Sequence, residues 1–410
     1  MPDLHQTKGA PIMTESTWNS TEDFEIKDFV IDSGTSQPSL IAPNQFSKID
    51  AQELAEVGVL FDSPQRAGTF VVQDFHTVCS QTQAEGLEVL PIAEALKKYD
   101  WLVEKYAWKL IDPDTNKITR FCADQKTPQG YFIRVAAGAK VEFPYQAALY
   151  QSHANIAQAI HNIVIVEDDA ELTLITGCAT QHEVTSGVHL AVSEQFIGKR
   201  ARFTNTMVHS WGPKVSVRPH SATIVDEDGI FESNYVSLRP AADIRSNPKT
   251  WLNGDRASAR YYSVILGSQG SHILSGGEVY LNGEDTSAEL AHRAICTGGQ
   301  ISQTGLLTGS NRCRAHIDCS GMILDPGKKG FIESTPGIRS QHPEAMMSHE
   351  ASIGKIAPEQ VEYLQSRGIE ERQAVSMIIR GFLNADIAGL GEELDARIDQ
   401  IAEMSGHGEG

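Results

Sequence analysis

The chain has 410 residues, with 53 acidic residues against 34 Lys and Arg and a formal net charge of −19. This length exceeds the usual size of one compact core, so two or three domains are expected unless one of them is elongated. The acidic balance argues against nucleic acid and anionic membrane surfaces as partners, because both attract clusters of Lys and Arg. The six cysteines are sparse and irregularly spaced, which indicates free thiols rather than a secreted disulfide framework.

The protein is expected to be cytoplasmic, and the first third of its chain to form a mixed N-terminal region. No run approaches the roughly eighteen apolar residues of a membrane span, and the N-terminus lacks the apolar core of a signal peptide. Residues 1–45 are rich in Ser, Thr, Asp, Asn and Pro, which predicts a flexible leader. Helical spacing, as at Ile92, Leu96 and Tyr99, predicts a helical or mixed region over residues 46–120.

The middle of the chain, residues 121–345, has the texture of short strands. Runs such as HNIVIV, LTLI and YYSVIL are rich in β-branched residues and are separated by turn signals. The turns recur with a period of about thirty residues, which favours a parallel β-helix with one coil per repeat, without excluding an antiparallel sandwich or jelly roll. The recurring turn positions are Asp168, Gly198, Asp228, Gly254, Gly283 and Ser310.

Residues 346–410 are predicted to form a helical C-terminal domain. Its first helix begins at Pro358 and ends near Gly368, which can take the left-handed C-cap position. A second helix presents an apolar stripe within residues 374–382, and a third carries apolar residues from Leu390 to Ile401.

Several familiar catalytic sites are excluded by spacing. The chain has no G-x-x-x-x-G-K-[ST], no G-x-G-x-x-G after a strand and no G-x-S-x-G, so any ATP that is used must bind another chain. His349 and Glu350 resemble the start of a zinc-protease H-E-x-x-H motif. Ile353 occupies the place of the second histidine, which excludes that interpretation.

A C-x-x-H-x-x-C pattern at Cys313, His316 and Cys319 invites a metal-site interpretation. On a strand, however, the two cysteines stand about 20 Å apart and His316 points to the opposite face. One cysteine can still contribute to a site that other parts of the fold, or a second subunit, complete. Thiolate, imidazole and carboxylate can all hold iron, and a mixed set leaves a cluster more labile than four thiolates would. Taken alone, Cys319 is more often a buried small hydrophobe, and His349-Glu350 more often a helix-start pair or solvated surface.

Three segments resemble the SufB/SufD family of iron-sulfur cluster assembly proteins. Residues 348–382 are similar to that family's His-Glu-Ala segment followed by its YL..RGI and MI..GF patterns. Residues 161–203 and 259–290 resemble its strand-turn-strand segments. The resemblance implies a mainly β fold, a right-handed parallel β-helix core with a helical N-terminal region and a helical C-terminal domain. It also implies dimerisation through the β-helix and docking of a SufC-like ABC ATPase on the C-terminal helices.

By position, Cys319, His349 and Glu350 match the family's proposed cluster ligands, so the resemblance implies that they hold a transient iron-sulfur cluster, expected as [4Fe-4S]. SufD-type members lack this combination, which makes the chain SufB-like. No cysteine lies between Cys178 and Cys296, where common bacterial SufB members carry a sulfur acceptor. That departure indicates the shorter archaeal type, which works as a homodimer and uses sulfide. A heterodimer with a paralogue stays open as the alternative.

The expected function is therefore a non-enzymatic scaffold that assembles an iron-sulfur cluster and passes it to recipient proteins, with ATPase activity only in the partner. One alternative is a SufD-like structural subunit of the same complex without its own cluster. A more distant alternative is a carbohydrate-active β-helix protein, which would need paired carboxylates on one strand face and a secreted chain.

Overall fold

The structure is a computed structural model that describes residues 24–32, 34, 37–239, 241–324 and 330–383. Its strands stack coil upon coil into a parallel β-solenoid of about seven turns, with a few helices toward the two ends. The predicted mainly β fold with a parallel β-helix core is confirmed. The sandwich and jelly-roll alternatives are wrong, because strands of successive coils pair in parallel along the whole solenoid.

Two sheets form the walls of the solenoid. In spatial order, the first sheet contains β2 (His76–Thr82), β1 (Gly68–Gln73), β5 (Tyr145–Gln151), β7 (Glu171–Thr180), β9 (Arg202–Ser210), β11 (Ile230–Arg239), β14 (Ser258–Ser268), β17 (Thr286–Thr297), β19 (Cys313–Ile323) and β21 (Ala345–Lys355). The second sheet contains β3 (Leu87–Pro91), β4 (Tyr131–Val135), β6 (Ala157–Val166), β8 (Ser186–Ile197), β10 (Lys214–Val225), β12 (Asp243–Ser246), β13 (Lys249–Leu252), β15 (His272–Ser275), β16 (Glu278–Leu281), β18 (Gln300–Gly309) and β20 (Phe331–Ser340). Two of its coils are split, with β12 and β13 in one and β15 and β16 in the next.

The described helices lie toward the chain ends, and most of them pack on the outer faces of the sheets. They are α1 (Lys48–Ala55), α2 (Ile92–Lys98), α3 (Asp100–Lys105), α4 (Lys117–Ala123), α5 (Pro358–Ser366) and α6 (Glu371–Leu383), with single 3₁₀ turns at Ile26–Asp28, Pro43–Gln45 and Pro113–Thr115. Among these elements, none is a helix long and apolar enough to cross a membrane.

The coil turns explain the period seen in the sequence. Five successive turns contain a residue in the left-handed region, and each donates its backbone N–H to a carbonyl of the following coil. Acidic and arginine side chains alternate in this row, and the Nε of each arginine lies 2.7 Å from a carboxylate oxygen of the aspartate one coil before it. The row consists of Asp169, Arg200, Asp228, Arg256 and Asp285, one residue from each coil.

The N-terminal region is an extension of the solenoid. Strand β1 pairs in parallel with β5, so residues 46–120 contribute strands as well as helices to the same sheets. Phe24, Ile26 and Phe29 pack against the buried apolar cluster around α4. Within the predicted leader of residues 1–45, these three side chains pack on the core, while residues 1–23 lie outside the described part.

A buried carboxylate fixes this N-terminal region to the coils. Glu194 on β8 is fully buried, and its oxygens accept the backbone N–H groups of Trp108, Lys109 and Leu110 at 2.6, 2.7 and 2.7 Å. Its Oε2 also lies 3.0 Å from Nε2 of His161. These hydrogen bonds satisfy a carboxylate that would otherwise be costly to bury.

The C-terminal region departs from its predicted boundary at residue 346. Strand β21 continues to Lys355, so the solenoid ends later in the chain than the sequence suggested, and α5 and α6 follow it. Ile379 and Leu383 of α6 are buried against an outer cluster of the first sheet that includes Val264 and Ile295. Internal packing therefore occupies the apolar stripe of α6, and the predicted third helix lies outside the described residues.

A buried histidine links the stability of this core to pH. His189 lies on the inner face, with Nδ1 2.9 Å from Oε1 of Gln158 and its ring 4.8 Å from that of Trp211. Burial lowers the pKa of His189 to about 3. The unfolded chain binds a proton below about pH 6.5, whereas the folded chain does not until near its own pKa. The free energy of unfolding therefore falls as pH drops below about 6.5, by up to about 1.4 kcal/mol per pH unit for this residue.

We expect His189→Gln, which keeps a hydrogen-bonding group beside Gln158, to lose that contribution. Urea unfolding at pH 7 and pH 5 should show the wild type losing about 2 kcal/mol more than the variant between the two values. His182→Gln, at an exposed position, is the control and should behave as wild type. An equal pH dependence of wild type and His189→Gln would contradict this assignment.

Candidate functional site

Strand β19 places the predicted cysteine inside the solenoid. Its burial alternates, so Cys313, Ile317 and Cys319 face the core while His316 and Asp318 face outward. Cys319 is fully buried in the main interior cluster. The C-x-x-H-x-x-C segment therefore does not chelate one metal, as strand geometry predicted.

Strand β21 carries the other two predicted ligands, His349 and Glu350. The expectation that this pair begins a helix is wrong, because residues 345–355 pair with β19 over their full length. In that register Ile317 lies beside His349, and Cys319 lies beside Ala351. His349 consequently faces the same side as Cys319 on the neighbouring coil.

Glu350 faces the other way. It lies beside Asp318, on the outer side of the sheet, and both its neighbours in β21 point inward. Within the described residues no group of three or more His, Cys, Asp and Glu side chains could hold one metal ion. One chain thus brings Cys319 and His349 to a common face and leaves Glu350 on the opposite one.

His349 is oriented as metal-binding histidines commonly are. Its Nδ1 lies 3.0 Å from the backbone carbonyl oxygen of Pro336 on β20 and donates to it. That bond fixes the tautomer, so Nε2 carries the lone pair that a metal would use. The side chain is exposed, since β21 forms the last coil of the first sheet.

The thiol of Cys319 is protonated near neutral pH. Burial, with a further contribution from Asp318, raises its pKa to about 12, against the opposing effect of Arg293. Arg293 and Asp318 form an ion pair of 2.6 Å. Because the thiolate is the metal-binding form, iron binding here must release a proton.

His292, which sequence reasoning did not single out, lies directly beside Cys319. The two residues are register partners on β17 and β19, and both face the interior. Nδ1 of His292 lies 2.7 Å from Oγ of Ser263, while its buried Nε2 has no hydrogen-bond partner. Burial and the nearby Arg293 lower the pKa of His292 to about 4, so the ring is neutral. The sequence feature that could have identified His292 is its position, about one coil before Cys319.

The remaining histidines that could have formed a ligand set are spread along the fold. His161 bonds Glu194, His189 bonds Gln158 and His209 lies 2.9 Å from the Tyr235 hydroxyl. His153 contacts Asp74, His182 is exposed and His220 is half-buried near Lys249. They lie in the core or at the surface of the solenoid. Of the Met346-Met347 pair, Met347 packs against the interior cluster and Met346 is exposed.

Together these features define a parallel β-solenoid with a thiol and imidazole groups at its C-terminal coils. Residues 149–382 match the family model described as "SUF system FeS cluster assembly, SufBD core domain". The chain belongs to the SufBD family of iron-sulfur cluster assembly proteins, which confirms the resemblance found in its motifs. This membership supports a role in iron-sulfur cluster assembly.

Curated relatives extend over most of the chain. It is 39% identical over 358 residues to an iron-sulfur cluster assembly SufBD family protein of Archaeoglobus fulgidus, covering 87% of this chain and 95% of that protein. A SufBD family protein of Methanothermobacter thermautotrophicus is 37% identical over 389 residues, 94% of either chain. The iron-sulfur cluster assembly protein SufB of Bacillus subtilis is 25% identical over 338 residues, 82% of this chain and 72% of that protein.

Because all six cysteines are buried, we expect the native thiols to react slowly. Iodoacetamide near neutral pH should label the folded chain far more slowly than the chain in guanidinium, since alkylation requires an accessible thiolate. Mass spectrometry of the peptide that contains Cys319 provides the measurement. Rapid labelling of Cys319 in the folded protein, at the rate found in guanidinium, would contradict its placement in the interior.

Proposed function

We propose that this chain is a scaffold on which iron and sulfide are assembled into a transient cluster, expected as [4Fe-4S], and then passed to recipient proteins. The observation that carries the proposal is the position of Cys319 and His349 on one face of the last two coils of the first sheet. No residue of the chain turns over a substrate in this proposal, and ATP is hydrolysed only by a partner subunit.

The chemistry of the site suits temporary binding. A thiolate binds iron strongly, while imidazole and carboxylate ligands leave a cluster more labile than four thiolates would. When iron binds, the Cys319 thiol gives its proton to solvent and Nε2 of His349 supplies a lone pair. Since no cysteine lies between Cys178 and Cys296, sulfur is supplied as sulfide rather than through a mid-chain thiol.

A second copy of the chain would complete the ligand set. Strands β20 and β21 end their sheets among the described residues, and such edges have unpaired backbone groups. They expose apolar side chains, with Phe331 45% and Met346 59% accessible. Pairing with a second solenoid would cover these side chains and bring a second Cys319 and His349 to the interface, where an outward Glu350 from either copy is available.

The C-terminal helices offer a surface for an ABC-type ATPase resembling SufC. The buried side of α6 is occupied by the first sheet, so a partner must contact the other side. Met377 on α6 and Tyr363 on α5 are 51% and 59% exposed. An ATPase docked there would lie one short connection from β21, so its ATP-driven movement could open or close the site.

The alternative within the same family is a SufD-like subunit that binds the ATPase but no cluster of its own. The outward direction of Glu350, and the lack of a three-ligand group in the described part of one chain, are the observations that favour it. Cluster binding that depends on Cys319 distinguishes the two functions.

We expect anaerobic reconstitution with iron and sulfide to give a cluster on the wild type and to fail for Cys319→Ala. Visible and Mössbauer spectra provide the measurement. Cys313→Ala is the matched control, because Cys313 lies on the same strand and is also buried in the interior. Equal, stable clusters on wild type and Cys319→Ala would refute the assignment, and no cluster on wild type even with its ATPase would favour the SufD-like function.

We expect Met377→Asp to weaken binding of the ATPase subunit at least tenfold without lowering the stability of the chain, because it would place a charge in the proposed apolar contact. Isothermal titration with the purified ATPase measures the affinity. Val103→Asp on α3, which is 48% exposed, is the control at a distant helix. If Met377→Asp binds the ATPase with unchanged affinity, the docking surface lies elsewhere on the chain.

A further inference from the structure

His292 is a buried imidazole with one unpartnered ring nitrogen. Its side chain is 2% exposed, and Nε2 has no hydrogen-bond partner. Its other nitrogen is held by Ser263 at 2.7 Å, itself a buried residue on the preceding coil. A buried polar atom without a partner is unfavourable unless something binds to it.

The spacing between His292 and Cys319 suits a shared metal. Register partners on adjacent parallel strands are about 4.8 Å apart at the backbone, and both side chains here point to the interior. Both donors thus lie on one face of adjacent coils, the arrangement needed for a metal with a bond of about 2.3 Å to sulfur and about 2.1 Å to nitrogen. A histidine whose second nitrogen bonds a neighbouring group is the usual form of a metal ligand.

We propose that Nε2 of His292 is a further ligand of the iron that Cys319 binds. The inference rests on the proposed scaffold function and deepens it. The iron then lies on the inner face, between Cys319 and His292 on the preceding coil. When the metal binds, the Cys319 proton passes to solvent and Ser263 holds the His292 ring in place. Glu350, which points outward, is left for a ligand role toward a second chain.

Cobalt(II), a spectroscopic substitute for iron(II), tests this assignment on the full apo-protein under anaerobic conditions. Wild type should show a sulfur-to-cobalt charge-transfer band that Cys319→Ala lacks. His292→Gln should keep that band, change the visible d–d bands and bind cobalt at least about tenfold more weakly. His209→Gln is the matched control, because His209 is also buried in the interior with an unpartnered Nε2, and it should bind as wild type.

Pulsed EPR of cobalt-loaded His349→Gln, grown with ¹⁵N-histidine, gives a readout that does not depend on how His292→Gln folds. A residual histidine nitrogen coupling is expected from His292, and its absence would overturn the inference. Unchanged cobalt affinity and unchanged d–d bands in His292→Gln would also overturn the inference. In that case, a sulfur-to-cobalt charge-transfer band that depends on Cys319 would leave the scaffold function intact. If wild type and Cys319→Ala both lack the band, the scaffold function fails, and the inference fails with it.

Discussion

Coil-to-coil register is the constraint on which the rest of this structure depends. In a parallel stack each residue lies beside one residue of the coil before and one of the coil after. His292, Cys319 and Ala351, which are far apart in the sequence, thereby become neighbours on the interior face. The same register aligns the left-handed turn residues and their Arg–Asp pairs. A slip of one residue in any coil would turn every later side chain to the opposite face.

The fold was predictable because each coil leaves a turn at a regular spacing, and the family motifs agree with it. Strand β21 was not predictable, since residues 345–355 contain a single β-branched residue, Ile353, and precede a helix start. Hydrogen bonding to β19 makes this segment a strand, so tertiary context overrides local preference.

One feature of the candidate site was predictable from strand alternation alone: His316 and Cys319 face opposite sides of β19, so they cannot bind one metal together. The direction of Glu350 and the position of His292 could not be read in the same way, because both depend on which residues of adjacent coils pair. The coils also differ in length, since Cys319 is closer in the sequence to its register partner His292 than to its partner Ala351. A turn pattern gives the order of coils but not the register within them.

In the proposed account, iron binds at the last coils of the solenoid, between a buried thiol and the exposed edge strands. Iron-edge anomalous diffraction from crystals of the chain loaded anaerobically with iron and sulfide tests it most directly. The account predicts the strongest iron peak on the inner face of the last coils, bonded to Sγ of Cys319. An iron peak on the acidic turn residues, such as Asp169 and Asp228, with none at Cys319 would contradict it.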